Sequence, residues 1–377
     1  MKSSARVLAA YGLLLLVAGV FYLKPECNWD MVPYAALALS VEDQNPTAVH
    51  TRTYDLIRKD ISANKFAQLI DSTDRYRDAA FKDPDFLSAQ YPFYRLKPLY
   101  IATVYIAWKA GVPVAHATVL PSVIAFLATG MLLLLWSKRY LPEPYATLIG
   151  LAASLSPFML QLGRSSTPDL LCGSLQFAGA FLVVERRRTM PAALALTLAV
   201  LVRADALLFV LAIAVYMVRM RWLSWQQLLL FAAGPVIAAA AVMVPVWHIA
   251  GEVMFIRTAA ERMGDHASFF SPIAYASGIA LGMSRISFSS IGIVIGAAVL
   301  TIYLRGRLGR ERRSDAMWQL VLFMLAHMAV RFVFHPIIED RFLIGNYLLI
   351  GIALVVSIHE YASPNWKSPQ KSLEQIS

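Results

Sequence analysis

"VAHATVLPSVIAFLATGMLLLLWSKRY" runs from Val114 to Tyr140, and no acid or strong base interrupts it before Lys138 and Arg139. About 20 apolar residues in a helix are enough to cross a hydrocarbon core of about 30 Å. An uncharged run of that length, closed by two cations, reads as a membrane span ending on the cytoplasmic side. The pattern recurs outward in both directions. "RVLAAYGLLLLVAGVFYLK" (6–24) precedes it, and further apolar runs end in "ERRR" (185–188), "RMRW" (219–222) and "RGRLGRERR" (305–313).

Composition agrees. The 377 residues are 58% hydrophobic and only 15% charged, whereas soluble proteins carry about a quarter charged residues. The expected fold is all-α and polytopic. Spans are expected over 6–24, 114–136, 144–162 and 168–184, then in a short hairpin turning near "VRAD" (202–205). Further spans are expected over 226–248, down to the 305–313 cluster, over 316–334, and after Arg341. That makes roughly ten spans, with every basic turn on one side and both termini cytoplasmic. "YLKPECNWD" (22–30) offers no small-residue cleavage pair, so the first span is expected to be retained.

The net charge of +10 lies mostly in these short turns, so it reports topology and not a nucleic-acid partner. Cys27 and Cys172 have no zinc or disulfide spacing and read as free thiols. P-loop, G-x-G-x-x-G, G-x-S-x-G and H-E-x-x-H patterns are missing, which removes the support for a nucleotide-dependent cytoplasmic enzyme.

On the opposite, external side the topology gathers the unusual polar residues: Asp30, Lys97, Arg164, Asp169, Arg203, Asp205, Asp265, His266, His335, Glu339, Asp340 and Arg341. Ionisable groups at such depth mark a pathway or a site. Plainer readings stand beside that one. Asp30 could only cap a helix. Thr167, Pro168 and Asp169 make a good helix start by themselves. Arg203 and Asp205 could be turn residues, and Lys97 a snorkelling anchor. His266 and His335 stand alone, and Glu339–Asp340 reads as a solvated turn. The apolar run after Asp30 is too short to span and reads as a helix on the membrane surface, with Tyr34 one turn on and on the same face. Glu42 and Asp43 at its end turn away from Asp30. "ATVYIAWKAGV" (102–112) reads as a second interfacial helix.

Several of these stretches resemble the GT-C superfamily of membrane glycosyltransferases, in its protein O-mannosyltransferase and lipid A aminoarabinose transferase branch. "NWDMVPYAALAL" (28–39) is similar to the start of the family's first external loop, and "YRLKPLY" (94–100) to its K-P-P-L-Y stretch, with Leu99 in place of the second proline. "GRSSTPDLLCGSLQFAGAFLVVE" (163–185), "LAVLVRADALLFV" (198–210) and "HPIIEDRFLIGNYLLIGIAL" (335–354) resemble later segments, with Phe342 where tyrosine is usual. The resemblance implies a GT-C-like module over 1–220, including an external loop of about 25–113, and a variable transmembrane part over 221–377.

It implies a transferase that moves a sugar from a polyprenyl-phosphate donor to a glycan, lipid or protein acceptor on the periplasmic face of a bacterial inner membrane. Asp30 is then the general base, and Asp169 orients the acceptor or a cation. Lys97, Arg203 and Arg341 stabilise the donor phosphate, with Tyr34, Arg164, Asp205 and His335 as accessory residues. No metal ligand set is recognised. Two acids could still share one oxygen-ligated divalent cation. A lipid-linked-sugar flippase, or a scaffold without activity, are the competing classes.

Overall fold

The structure is a computed structural model of the chain, which describes residues 2–185, 187–246, 290–308, 315–334 and 339–363. Among these the chain is helical, with one isolated bridge between Glu26 and Ser165. In chain order the helices are α1 (Lys2–Leu23), α2 (Met31–Leu39), α3 (Pro46–Asp60), α4 (Ala63–Leu69), α5 (Arg75–Lys82), α6 (Pro84–Ser88), α7 (Tyr91–Arg95), α8 (Pro98–Lys109) and α9 (Val114–Ser137). Next come α10 (Glu143–Ser154), α11 (Pro157–Gly163), α12 (Asp169–Val184), α13 (Thr189–Val202), α14 (Leu207–Arg219) and α15 (Trp225–Met243). The last are α16 (Ser290–Leu308), α17 (Asp315–Phe334) and α18 (Ile344–Ala362).

Five of the described helices are long and apolar enough to cross a membrane: α1, α9, α15, α16 and α18. α10 and α11 make a sixth if taken as one span bent by 57°. The bend has a local cause. Pro157 disfavours helical backbone at the residue before it, and Ser156 is extended and caps α11 by accepting from the Met159 N–H. A helix is found wherever the sequence calls for a span, but several are short. α12, α13 and Met317–Val333 of α17 are apolar at 10–17 residues. At 1.5 Å per residue the 16 residues of α12 reach about 24 Å, less than a hydrocarbon core.

α9 and α18 are mostly buried, while α1, α15 and α16 mostly face outward. α12 sits centrally, against α13, α9 and α18. Small residues permit the last of these contacts. A Cβ on Gly173 would overlap Ile344 Cγ2, and one on Gly345 would overlap the Gln176 side chain. Gly173→Ala should therefore cost roughly 1–3 kcal/mol by overpacking and lower the thermal unfolding midpoint in detergent, while Gly351→Ala, which has open space, should not. α17 and α18 are braced by polar groups as well. The Asn346 side chain donates to Met324 O at 3.0 Å and contacts His327 Nδ1.

Residues 31–109 form a cap of short helices. Asn45, Asp74 and Asp83 accept backbone N–H bonds at the starts of α3, α5 and α6, as short polar residues at N-caps do. α2 departs from expectation. It does not lie on a surface: all nine of its residues are buried, packed against α3, α7, α8 and α9. The segment is apolar on every side, which is the signature of a buried helix and not of an interfacial one with a polar face.

Candidate functional site

The chain after α1 is pinned to the connection between α11 and α12. The Glu26 N–H donates to Arg164 O at 2.9 Å, and the Ser166 N–H donates to Asn28 Oδ1 at 3.0 Å. This pairing sets the start of α2 beside the start of α12, and so Asp30 near Asp169.

Neither aspartate acts as a cap. No side-chain cap bond forms at the start of α2 or of α12, and Pro168, not Thr167, holds the N-cap position of α12. Both carboxylates turn into a shared cluster instead. Asp30 accepts from the Tyr94 hydroxyl at 3.0 Å and from Arg341 Nη1 at 3.3 Å. Arg341 Nε lies 3.7 Å from Asp169 and 2.6 Å from Glu339. Asp169, almost fully buried, also pairs with Arg203. Arg203 grips Asp205 through Nε at 3.1 Å and Nη2 at 2.9 Å, and Asp205 in turn takes Arg331 from α17. The result is an alternating chain: Asp30, Arg341, Asp169, Arg203, Asp205, Arg331. The Phe342 ring lies against three of these guanidiniums, at 4.1 Å from Arg203, 5.0 Å from Arg341 and 5.1 Å from Arg331, an arrangement favoured by the ring's negative face.

Lys97 stands apart in kind. Its ammonium has no carboxylate within ion-pair distance among the described residues. It is held by Phe93 O at 3.3 Å and by the faces of Phe93, Tyr94 and Tyr34, at 4.2, 4.8 and 5.8 Å. Burial, reinforced by the nearby Arg203 charge, pulls its pKa down to about 8. Burial pushes the Asp30 carboxyl above the usual range, against the opposing pull of Arg341 and Lys97. Tyr34 is buried with its ring packed between Tyr94 and Tyr100.

Asp30, Tyr34, Lys97, Asp169, Arg203, Asp205 and Arg341 thus fall in one place. Arg164 does not join them; its side chain pairs with Glu26 at 3.3 Å and is half exposed. His335, Asp265 and His266 lie outside the described residues. Glu42 pairs with Lys109 at 2.5 Å and Arg52 at 3.3 Å, away from Asp30 as the helical spacing requires. Three partners escaped sequence reasoning. Glu339 is a ligand of Arg341 and not a solvated turn residue. Tyr94 carried no signal beyond standing three residues before Lys97. Arg331 did carry one, as an ionisable residue inside an apolar helix.

The sequence matches no protein-family model and no curated protein.

The cluster does not fit a divalent cation. Among the described residues no group of three or more His, Cys, Asp or Glu could hold one. A guanidinium already bridges Asp30 to Asp169, and another bridges Asp169 to Asp205. The available chemistry is that of a partly exposed carboxylate in a cluster of arginines and one lysine that has no carboxylate at ion-pair distance among the described residues: proton acceptance next to anion binding.

Proposed function

We propose that this chain is a polyprenyl-phosphate-sugar-dependent glycosyltransferase with a GT-C-like arrangement of about ten spans. It would act on the periplasmic face of a bacterial inner membrane, with both termini cytoplasmic. The observation that carries the reading is Asp30. Its carboxylate caps nothing, keeps a 21% exposed side chain, and feels the charge of Lys97, the cation of this cluster that has no carboxylate at ion-pair distance among the described residues. Charged groups within the apolar helices are few and the cluster gathers at one end of the bundle, which favours chemistry at a surface over translocation.

The roles follow from charge and reach. The acceptor hydroxyl attacks the anomeric carbon and passes its proton to Asp30, and the bond from that carbon to the phosphate oxygen breaks. The departing lipid phosphate gains a negative charge, which Lys97 and Arg341 stabilise. Arg341, 36% exposed, can be drawn towards a phosphate. Arg203 is engaged by two carboxylates and acts mainly by holding Asp169 and Asp205. Tyr34 packs beneath the Lys97 ammonium. The sugar and the acceptor, whether glycan, lipid or protein, are left open by these residues.

The test is transfer of label from a radiolabelled polyprenyl-phosphate sugar by membranes containing the chain. Lys97→Ala should raise the KM for the donor roughly tenfold to hundredfold, the worth of one charge-assisted hydrogen bond, and change acceptor KM little. The reverse pattern would remove Lys97 from the phosphate.

A pH profile supplies an independent check. Asp30 must be ionised, so kcat/KM rises with pH through a carboxyl pKa above the usual range. Lys97 must be protonated, so kcat/KM falls as pH rises through about 8. The expected profile is bell-shaped, and Lys97→Arg should abolish the alkaline limb, because guanidinium keeps its charge.

A further inference from the structure

The opposite end of the bundle carries arginines that form no ion pair among the described residues. α13 and α14 both run away from the turn that carries Arg203 and Asp205, so Thr189 and Arg219 lie at the ends remote from that turn. There the turn after α12 carries Arg187 and Arg188, and the turn between α14 and α15 carries Arg219 and Arg221. All four are exposed, and none forms an ion pair with a described residue. The two turns touch, with the Arg187 guanidinium 3.1 Å from the centroid of the Trp222 ring. The acid that closes α12, Glu185, is already held by Arg139 and Trp136 Nε1 at 2.9 Å and by Tyr140. Arg187 and Arg221 also take positive φ, 50° and 57°, backbone that disfavours any residue with a Cβ. Arginine thus stands at both corners where glycine would be easier.

α15 begins directly beside these turns, with Trp225, Leu229 and Leu230 at 76%, 68% and 65% exposure. The cations therefore border an outward apolar face. Such a pairing fits a molecule with an anionic head and an apolar tail, and a soluble phosphate would leave the apolar half unused. We infer that this corner binds the headgroup of an anionic phospholipid. The inference does not depend on the transferase reading.

Native mass spectrometry of the full chain in non-ionic detergent tests it, with added phosphatidylglycerol or phosphatidylcholine. Phosphatidylglycerol should be retained at least tenfold better than phosphatidylcholine. Arg219→Gln with Arg221→Gln should weaken its retention roughly thirtyfold, each arginine near an anionic headgroup contributing about fivefold, while the corresponding lysine pair should keep it. Equal retention of the two lipids, or full retention by a folded glutamine pair, overturns the inference. Displacement by millimolar inorganic phosphate also overturns it and assigns the corner to a soluble anion. If the glutamine pair fails to fold, the wild-type chain decides: retention of phosphatidylglycerol must fall as NaCl rises, and retention indifferent to salt overturns the assignment.

Discussion

Asp30→Asn should lower sugar transfer by roughly 10²–10⁴-fold, the usual contribution of a positioned general base, with little change in stability. The amide nearly matches the carboxylate in shape and can still accept from Tyr94, so α2 keeps its place. Arg341 retains Glu339 and Asp169 as partners, so removing the Asp30 charge does not strand it. Donor affinity should hold or improve slightly, because Lys97 and Arg341 lose a competing anion. The measurement is label transfer at matched expression, with donor KM and kcat resolved separately. A fall confined to kcat marks a group that acts in the transition state. Turnover equal to wild type would remove Asp30 as the base. A large rise in donor KM with kcat intact would recast it as a binding residue. Asp30→Glu should recover only part of the rate, because the carboxylate is displaced by a methylene from the geometry that Tyr94 and Arg341 set.

Much of this arrangement was legible because charge is rare in an apolar chain. Asp30, Asp169, Arg203 and Asp205 stand in largely apolar sequence, and the positive-inside pattern predicts one side for them together with Lys97 and Arg341. What linear reading could not provide was pairing. Whether Asp169 caps its own helix or meets Arg203 depends on where α13 turns, and that turn is fixed by packing of α13 on α12. The same limit explains α2. "MVPYAALAL" (31–39) is too short to span and so reads as a surface helix, but its lack of any polar face is what sends it inward. The number of spans is legible only in part. Apolarity placed the helices expected as spans but not the polar helices α3 to α7 of the cap, and α12, α13 and α14 are shorter than a bilayer requires, because length is set by where caps and turns fall. Arg331 was missed for a different reason: one charge near the end of a span reads as an anchor unless its partner on another helix is known.

Asp205→Asn should be the most destabilising single change in the cluster. Arg203 and Arg331 both converge on Asp205, and all three side chains are at most 19% exposed. Arg203 keeps Asp169 when Asp205 is neutralised, but Arg331 is left charged, with Asp205 the carboxylate it pairs with among the described residues. Removing one member of a buried ion pair costs about 3–5 kcal/mol, because the remaining charge is uncompensated. The thermal midpoint in detergent should drop on the order of 5–10 °C, and the α13–α14 tip should loosen from α17. Activity should fall as well, since Arg203 then orients Asp169 from a less fixed position, and this loss should appear together with the stability loss. That coupling separates Asp205 from Asp30, whose replacement affects rate alone. Arg331→Met in the Asp205→Asn background isolates the cause. Removing the stranded cation should restore part of the midpoint, since a buried ion pair replaced by apolar groups is often neutral or better. An unchanged midpoint in the single variant would mean that the tip is held by the packing of α13 on α12 and α15, and that the ion chain serves the site without holding the fold.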